Sequence, residues 1–270
     1  YQQLIEREMQ SAKKKMAFEF NPNTQNYDVR YHKIELNVDP AQYRVSGKVT
    51  TKFKPVSGTM SAVVFDLSHQ LTVSQVKQGN SNLTFTQANN ELTIQLAQQV
   101  SLGSEGEVEI TYSGVPPTNN EAFTVSQHSG TPIMWTLSEP FGASDWWPCK
   151  QDLTDKVEGI DFYITAPSAY TSVANGLEKS QTSNSNGTKT THFKHNYAIP
   201  AYLVAFAVTN YQIFNQTAGT APNTFPIVNY FYPENYATAS NQVAVTIPIM
   251  NLFEQLFETY PFHNEKYGHA

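Results

Sequence analysis

The chain has 270 residues and a net charge of −6, with 15% of its residues charged and 13% aromatic. Its 17 Lys and Arg form no long basic run, so the positive face that phosphate binding requires is missing and nucleic acid is excluded as a partner. A single cysteine rules out an internal disulfide, and no apolar stretch approaches the roughly 20 residues of a membrane span, so stability must come from a packed core.

In chain order, residues 1–17 place Leu4, Ile5, Met9, Ala12 and Met16 at helical offsets among charges, which predicts a short amphipathic helix with Lys13, Lys14 and Lys15 at its solvated end. From Tyr27 the period changes to two. Val29, Tyr31, Ile34, Leu36 and Val38 form one run, and Val45, Val49 and Phe53 the next, each closed by a turn pair such as Asp39-Pro40. Further strands are expected over 61–67, 71–76, 83–85, 92–96, 108–112, 160–165, 190–194 and 202–208, with Asn89-Asn90 and Asn186-Gly187 among the turns. Short, regularly spaced strands in this number predict a mainly β fold, a sandwich or open curved sheets.

Residues 216–225 are rich in Thr, Ala, Gly, Pro and Asn and read as a linker. One strand over 227–232 and one helix over 237–260 follow, the helix with an apolar face of Val245, Ile249, Leu252, Phe253, Leu256 and Phe257. Pro248 lies within it and predicts a kink or a split. A strand and a helix cannot bury a core of their own. The division that results is a helical segment over 1–17, a β-domain over 18–215, and a linker with the first strand and helix of a second domain over 216–270. A truncation ending near Tyr211 is expected to stay folded and to associate less than the whole chain.

The densest concentration of chemistry is residues 135–156, WTLSEPFGASDWWPCKQDLTDK. Taken alone, Glu139 before a Pro is a solvated surface charge. Trp146, Trp147, Pro148 and Cys149 read as a packed hinge between loop and sheet, with Cys149 a small buried apolar residue. Asp145, Asp152 and Asp155 with Lys150 and Lys156 read as a hydrogen-bonded turn. Their rival reading, a calcium loop, lacks the alternating ligands and central Gly. His192 and His195 are three apart in a strand and so face opposite sides, and His263 with His269 has no helical ligand spacing, so the histidines assemble no zinc site. The N-x-[ST] matches at Asn82, Asn186 and Asn215 are what an Asn- and Thr-rich chain produces by chance.

With YHKIELNVDP, GKVTTKF, VVFDLSHQLTVSQV, VEITYSG, AYLVAFAVTNY and FEQLFETYPFHNEKYGHA arranged around it in that order, the motif resembles the front of the aminopeptidase N type of zinc metallopeptidase. The resemblance implies a saddle-like N-terminal β-domain followed by the start of a thermolysin-like catalytic domain, cut before the Gly-rich Met-Glu loop and the H-E-x-x-H helix. It implies a zinc-dependent enzyme that removes N-terminal residues from peptides, with the zinc and the catalytic residues in the full-length protein and none in this chain. Glu139 matches the position that anchors the α-ammonium group of the substrate, through charge-assisted hydrogen bonds. Where many relatives carry a Gln two positions earlier, this chain has Leu137, which reduces the polar lining there. The implied partners are peptides with a free N-terminus and the missing catalytic domain, and self-association is expected through the apolar surface the cut exposes. Low charge with abundant Asn, Gln and Thr leans towards an exported protein, periplasmic or secreted. The rival readings are a carbohydrate-binding β-sandwich with Trp135, Trp146 and Trp147 as its platform, and a scaffold relative that has lost catalysis.

Overall fold

The computed structural model describes residues 20–270; the helix expected over 1–17 lies outside them. The first sheet holds eight strands: β1 (Tyr27–Asn37), β2 (Val45–Pro55), β4 (Leu71–Gln78), β5 (Ser81–Asn82), β8 (Gly106–Gly114), β11 (Gly159–Pro167), β13 (Leu177–Ser183) and β14 (Thr188–His195). Their order is β13-β14-β11-β1-β2-β8-β4-β5, antiparallel except for β1 against β11. A small sheet of β3 (Met60–Asp66), β7 (Glu91–Val100) and β6 (Phe85–Ala88) closes over one face. A four-stranded sheet, β12-β15-β10-β9, is built from β9 (Phe123–His128), β10 (Thr131–Thr136), β12 (Thr171–Ala174) and β15 (Phe206–Thr209). The last sheet is β16 (Gln212–Ala218), β17 (Phe225–Phe231) and the parallel β18 (Tyr267–His269), joined by α1 (Tyr236–Gln242) and α2 (Thr246–Leu256).

Alternation along the long strands is what closes the core. Every second residue of β2, from Val45 through Val49 and Phe53, is buried, and β1 and β8 supply Ile34, Leu36, Val108 and Ile110 to the same face. Val63, Phe65, Leu92 and Ile94 meet them from the small sheet, and Met134 and Val208 from the four-stranded one, in one continuous cluster. The four-stranded sheet is buried on both faces, because Ile133, Val173, Ala207 and Tyr211 on its other side pack against Tyr230 of β17. A third small cluster, Ala218, Phe225 and Ile227, is covered by Ile247 and Met250 of α2.

Several elements differ from the sequence reading. The hairpin β9–β10, with β12, β13 and β16, carries little apolar alternation of its own and is fixed by pairing. In β13 all but Leu177 are exposed, and its place depends on β14. The strand expected over 202–208 is a 3₁₀ turn at Ala201–Leu203 followed by β15. The 216–225 stretch is the end of β16, a turn and the start of β17. The helix expected over 237–260 is two helices separated by a 3₁₀ turn at Val243–Val245, ending at Leu256. Pro248 sits in the first turn of α2, where its missing donor would otherwise have reached the Ala244 carbonyl, and the break falls at that point.

Candidate functional site

The loop that follows β10 is fastened at both ends. The Leu137 N–H donates to the Ala122 carbonyl at 3.2 Å and the Gly142 N–H to the Ser138 carbonyl at 2.7 Å, which closes a turn with Glu139 and Pro140 at its tip. The Glu139–Pro140 peptide is cis. Gly142 is required there by space, since a Cβ at this position would lie 2.7 Å from Ala122 Cβ and 3.1 Å from Ser138 Cα. Leu137 and Glu139 are exposed on either side of the buried Ser138. Among the described residues, no hydrogen bond or ion pair engages the Glu139 carboxylate, so its acceptor sites are open.

Under the turn, Trp146 and Trp147 are both fully buried. Trp146 Nε1 donates to Ser138 Oγ at 2.8 Å, the Tyr112 hydroxyl donates to the Trp146 carbonyl at 2.9 Å, and the indole meets Phe206 edge-on. Trp147 stands edge-on to His32, 4.9 Å between ring centres. Burial pushes the His32 imidazole down to about 3, so it is neutral and shares a hydrogen bond with Thr51 through Nδ1. Buried indoles present no face to a sugar. The three-tryptophan platform is therefore not formed, with only Trp135 partly accessible.

The second half of the motif locks onto the sheets. Cys149 exchanges both backbone hydrogen bonds with Asp66 at the end of β3, and burial pushes its thiol well up, as expected of an inert core cysteine. The Gln151 N–H donates to Asp66 Oδ2 and Asn21 Nδ2 to Oδ1. Lys150 is buried, and its ammonium donates to the Tyr27 carbonyl and to Asp155, each at 2.7 Å. Asp152 Oδ1 accepts from the Thr154 amide and hydroxyl. Burial alone would raise this carboxyl, but those bonds and Lys150 outweigh it and hold it below the usual carboxylate range. With Asp145 bonded to Asn120, the three aspartates have structural partners and do not converge as cation ligands.

Other predicted residues separate as the strand geometry requires. His192 faces outward onto Asp161 and the ring of Tyr163, whereas His195 is turned inward, with Nδ1 2.6 Å from the accepting Glu265 Oε2. Among the described residues, no three His, Cys, Asp or Glu side chains are grouped to hold a metal. The described side chains therefore do not fit a zinc site.

A cavity of about 650 Å3 lies between the outer face of the four-stranded sheet and the last sheet, lined by Trp135, Val173, Tyr211, Tyr230 and Lys266 among others. Burial lowers the Lys266 ammonium to about 8, and its Nζ donates to the Ala174 carbonyl. Trp135 and Thr136 line this cavity, but Glu139 does not. The sequence reading missed this wall because it missed β9–β10. The signal was present in the Ser129-Gly130 turn, which both residues enter with positive φ, between Thr124-Val125 and Ile133-Met134.

The profile of the Peptidase M1 N-terminal domain matches residues 23–203, and the chain belongs to that family. Among curated proteins it is similar to leucine aminopeptidase 2 of Vanderwaltozyma polyspora, 26% identical over 211 residues that make up 74% of this chain and 32% of that protein. Among solved structures, the M1 zinc metallopeptidase from Deinococcus radiodurans aligns with a TM-score of 0.74 at 22% identity, over 90% of this chain and 55% of that one. A mutant of the same enzyme bound to a Tyr-Ser-Ala substrate aligns with a TM-score of 0.75, at 22% identity over 90% and 56% of the two chains. The structural likeness establishes the fold. The chain spans just over half of the solved relatives and about a third of the curated one.

Proposed function

We propose that this chain is the N-terminal part of a zinc-dependent aminopeptidase, in which it forms one wall of the substrate cleft and Glu139 holds the free amine of the peptide. The observation that carries the reading is an exposed carboxylate with no partner among the described residues, on a turn pinned through Ser138 to a fully buried tryptophan, in a chain of the Peptidase M1 N-terminal family. Such a carboxylate accepts from the α-ammonium group without first breaking another bond, and its fixed backbone limits the entropy lost on binding. It rejects an internal peptide, which offers no charged donor there. The catalytic metal belongs to the rest of the parent enzyme, and no step of hydrolysis is assigned to residues 1–270. In this reading the β-domain covers 18–215, and 216–270 hold the linker with the first strand and helix of the catalytic domain. The low charge and polar composition support an exported protein.

The isolated chain is expected to hydrolyse no aminoacyl anilide and to retain no stoichiometric zinc after dialysis against trace metal. Elemental analysis beside the anilide assay checks both, and turnover with metal near one per chain would overturn the assignment of catalysis to the remainder of the parent.

Self-association is also part of this proposal. Val245, Ile249, Leu252, Phe253, Leu256 and Phe257 are between 42% and 78% exposed, in one turn and the helix that follows it, and an apolar face of this kind promotes association. Sedimentation should show concentration-dependent dimers or larger species for the whole chain, reduced in a Leu252→Lys, Phe253→Lys double variant. A strictly monomeric chain refutes the idea. Truncation near Tyr211 is a poorer probe than the sequence suggested. The main core takes nothing after Val208, but removing β16–β18 uncovers Ile133, Val173 and Tyr211 and trades one apolar face for another.

A further inference from the structure

His128 ends β9, and its side chain, only 9% exposed, meets three elements at once. Nδ1 lies 2.7 Å from Glu234 Oε1, in the turn Pro233–Asn235 that leads into α1. Nε2 lies 2.8 Å from Thr209 Oγ1 on β15, and that hydroxyl donates in turn to the Pro132 carbonyl of β10 at 2.8 Å. The imidazole ring stacks on Tyr232 at 3.9 Å and 9°, and Tyr232 stacks on Tyr211. The partners that touch His128 are 81 to 106 residues away in sequence.

Counting protons decides the state of this cluster. Its own backbone N–H, and after it the bond from His128, hold the Glu234 carboxyl below the usual range, so it is ionised and only accepts. Nδ1 must therefore carry a hydrogen. Thr209 has one hydroxyl hydrogen, which goes to Pro132, so Nε2 must carry a hydrogen as well. Only the imidazolium serves Glu234, Thr209 and Pro132 together. A neutral ring keeps one hydrogen. The charge-assisted bond to Glu234 is the stronger of its two and retains it. Thr209 must then rotate its hydroxyl to Nε2, and the Pro132 carbonyl loses its donor.

We propose that His128 is a proton-dependent clasp joining the four-stranded sheet to the segment that enters the helices. It is closed while His128 is charged and Glu234 ionised. It loosens when the ring gives up its proton, and again in acid once Glu234 is protonated. The titratable groups facing the ring are Glu234 and Tyr232, whose phenol is raised by burial and then by Glu234. From β10 and β15 it meets an uncharged carbonyl and hydroxyl.

The test is histidine-labelled ¹⁵N NMR of the whole chain, with amide exchange over residues 233–242, on the wild type and on Glu234→Gln. Glu234 is a partly exposed turn residue, so this variant is expected to fold. In the wild type the neutral His128 should be the Nδ1–H tautomer, the minor form of free histidine. The neutral ring keeps its bond to Glu234 but loses the positive charge behind it, so protection of 233–242 should fall about 2- to 10-fold as the ring deprotonates. In Glu234→Gln the amide can donate to Nδ1, so the neutral ring should be the Nε2–H tautomer and the pH step in protection should vanish. An Nε2–H tautomer in the wild type, or an equal step in both proteins, overturns the proposal.

Discussion

Glu139→Ala in the parent enzyme is expected to lower kcat/KM on free-amine substrates about 10- to 150-fold, because a hydrogen bond to a charged group contributes roughly 1.5 to 3 kcal/mol. The carboxylate makes no other contact among the described residues, so removing it should leave the fold and the zinc content unchanged. Glu139→Gln should fall between the two, since it keeps an acceptor and loses the charge. Substrates whose amine is acylated supply the control, as they offer no ammonium and should be hydrolysed poorly and equally by all three proteins. Steady-state kinetics on matched free and acylated anilides checks this. Activity of the alanine variant within about twofold of wild type would return Glu139 to an ordinary surface charge.

Much of the fold was legible because the long strands bury one face and expose the other. The alternation of Val45, Val49 and Phe53 in β2 belongs to the strand itself and needs no knowledge of its neighbours. The two-faced burial of the four-stranded sheet is different. Met134 packs into the main core and Ile133 into the second cluster, which leaves no polar face to mark the strand, so β10 escaped notice although it leads into the loop that matters most. Glu139 was found through the resemblance of its surroundings and not through any local pattern. The clasp at His128 could not be read at all. Glu234 and Thr209 are remote in sequence, and the proton count that defines the cluster exists only once the three meet.

Trp146→Ala is the substitution expected to damage the chain most. Its side chain is wholly buried and touches Phe206 and Trp147, and replacing such an aromatic by Ala costs about 3 to 5 kcal/mol through lost contacts and the cavity left behind. The change also strips Ser138 of the indole donor that ties the Glu139 turn to the core. Stability and substrate binding should therefore fall together, unlike in Glu139→Ala. Urea denaturation followed by circular dichroism should show a much lower midpoint. Should the variant not fold, Trp146→Phe gives the same information on a smaller scale. It keeps most of the ring volume, loses the bond to Ser138, and should cost about 1 to 3 kcal/mol, the penalty for leaving a buried polar group unpaired. In the parent enzyme Trp146→Phe should raise KM for free-amine substrates while its folded fraction stays high, since the turn then holds Glu139 less firmly. A loss of stability below about 1 kcal/mol in Trp146→Ala would show that the loop does not depend on its tryptophan for its place on the sheet.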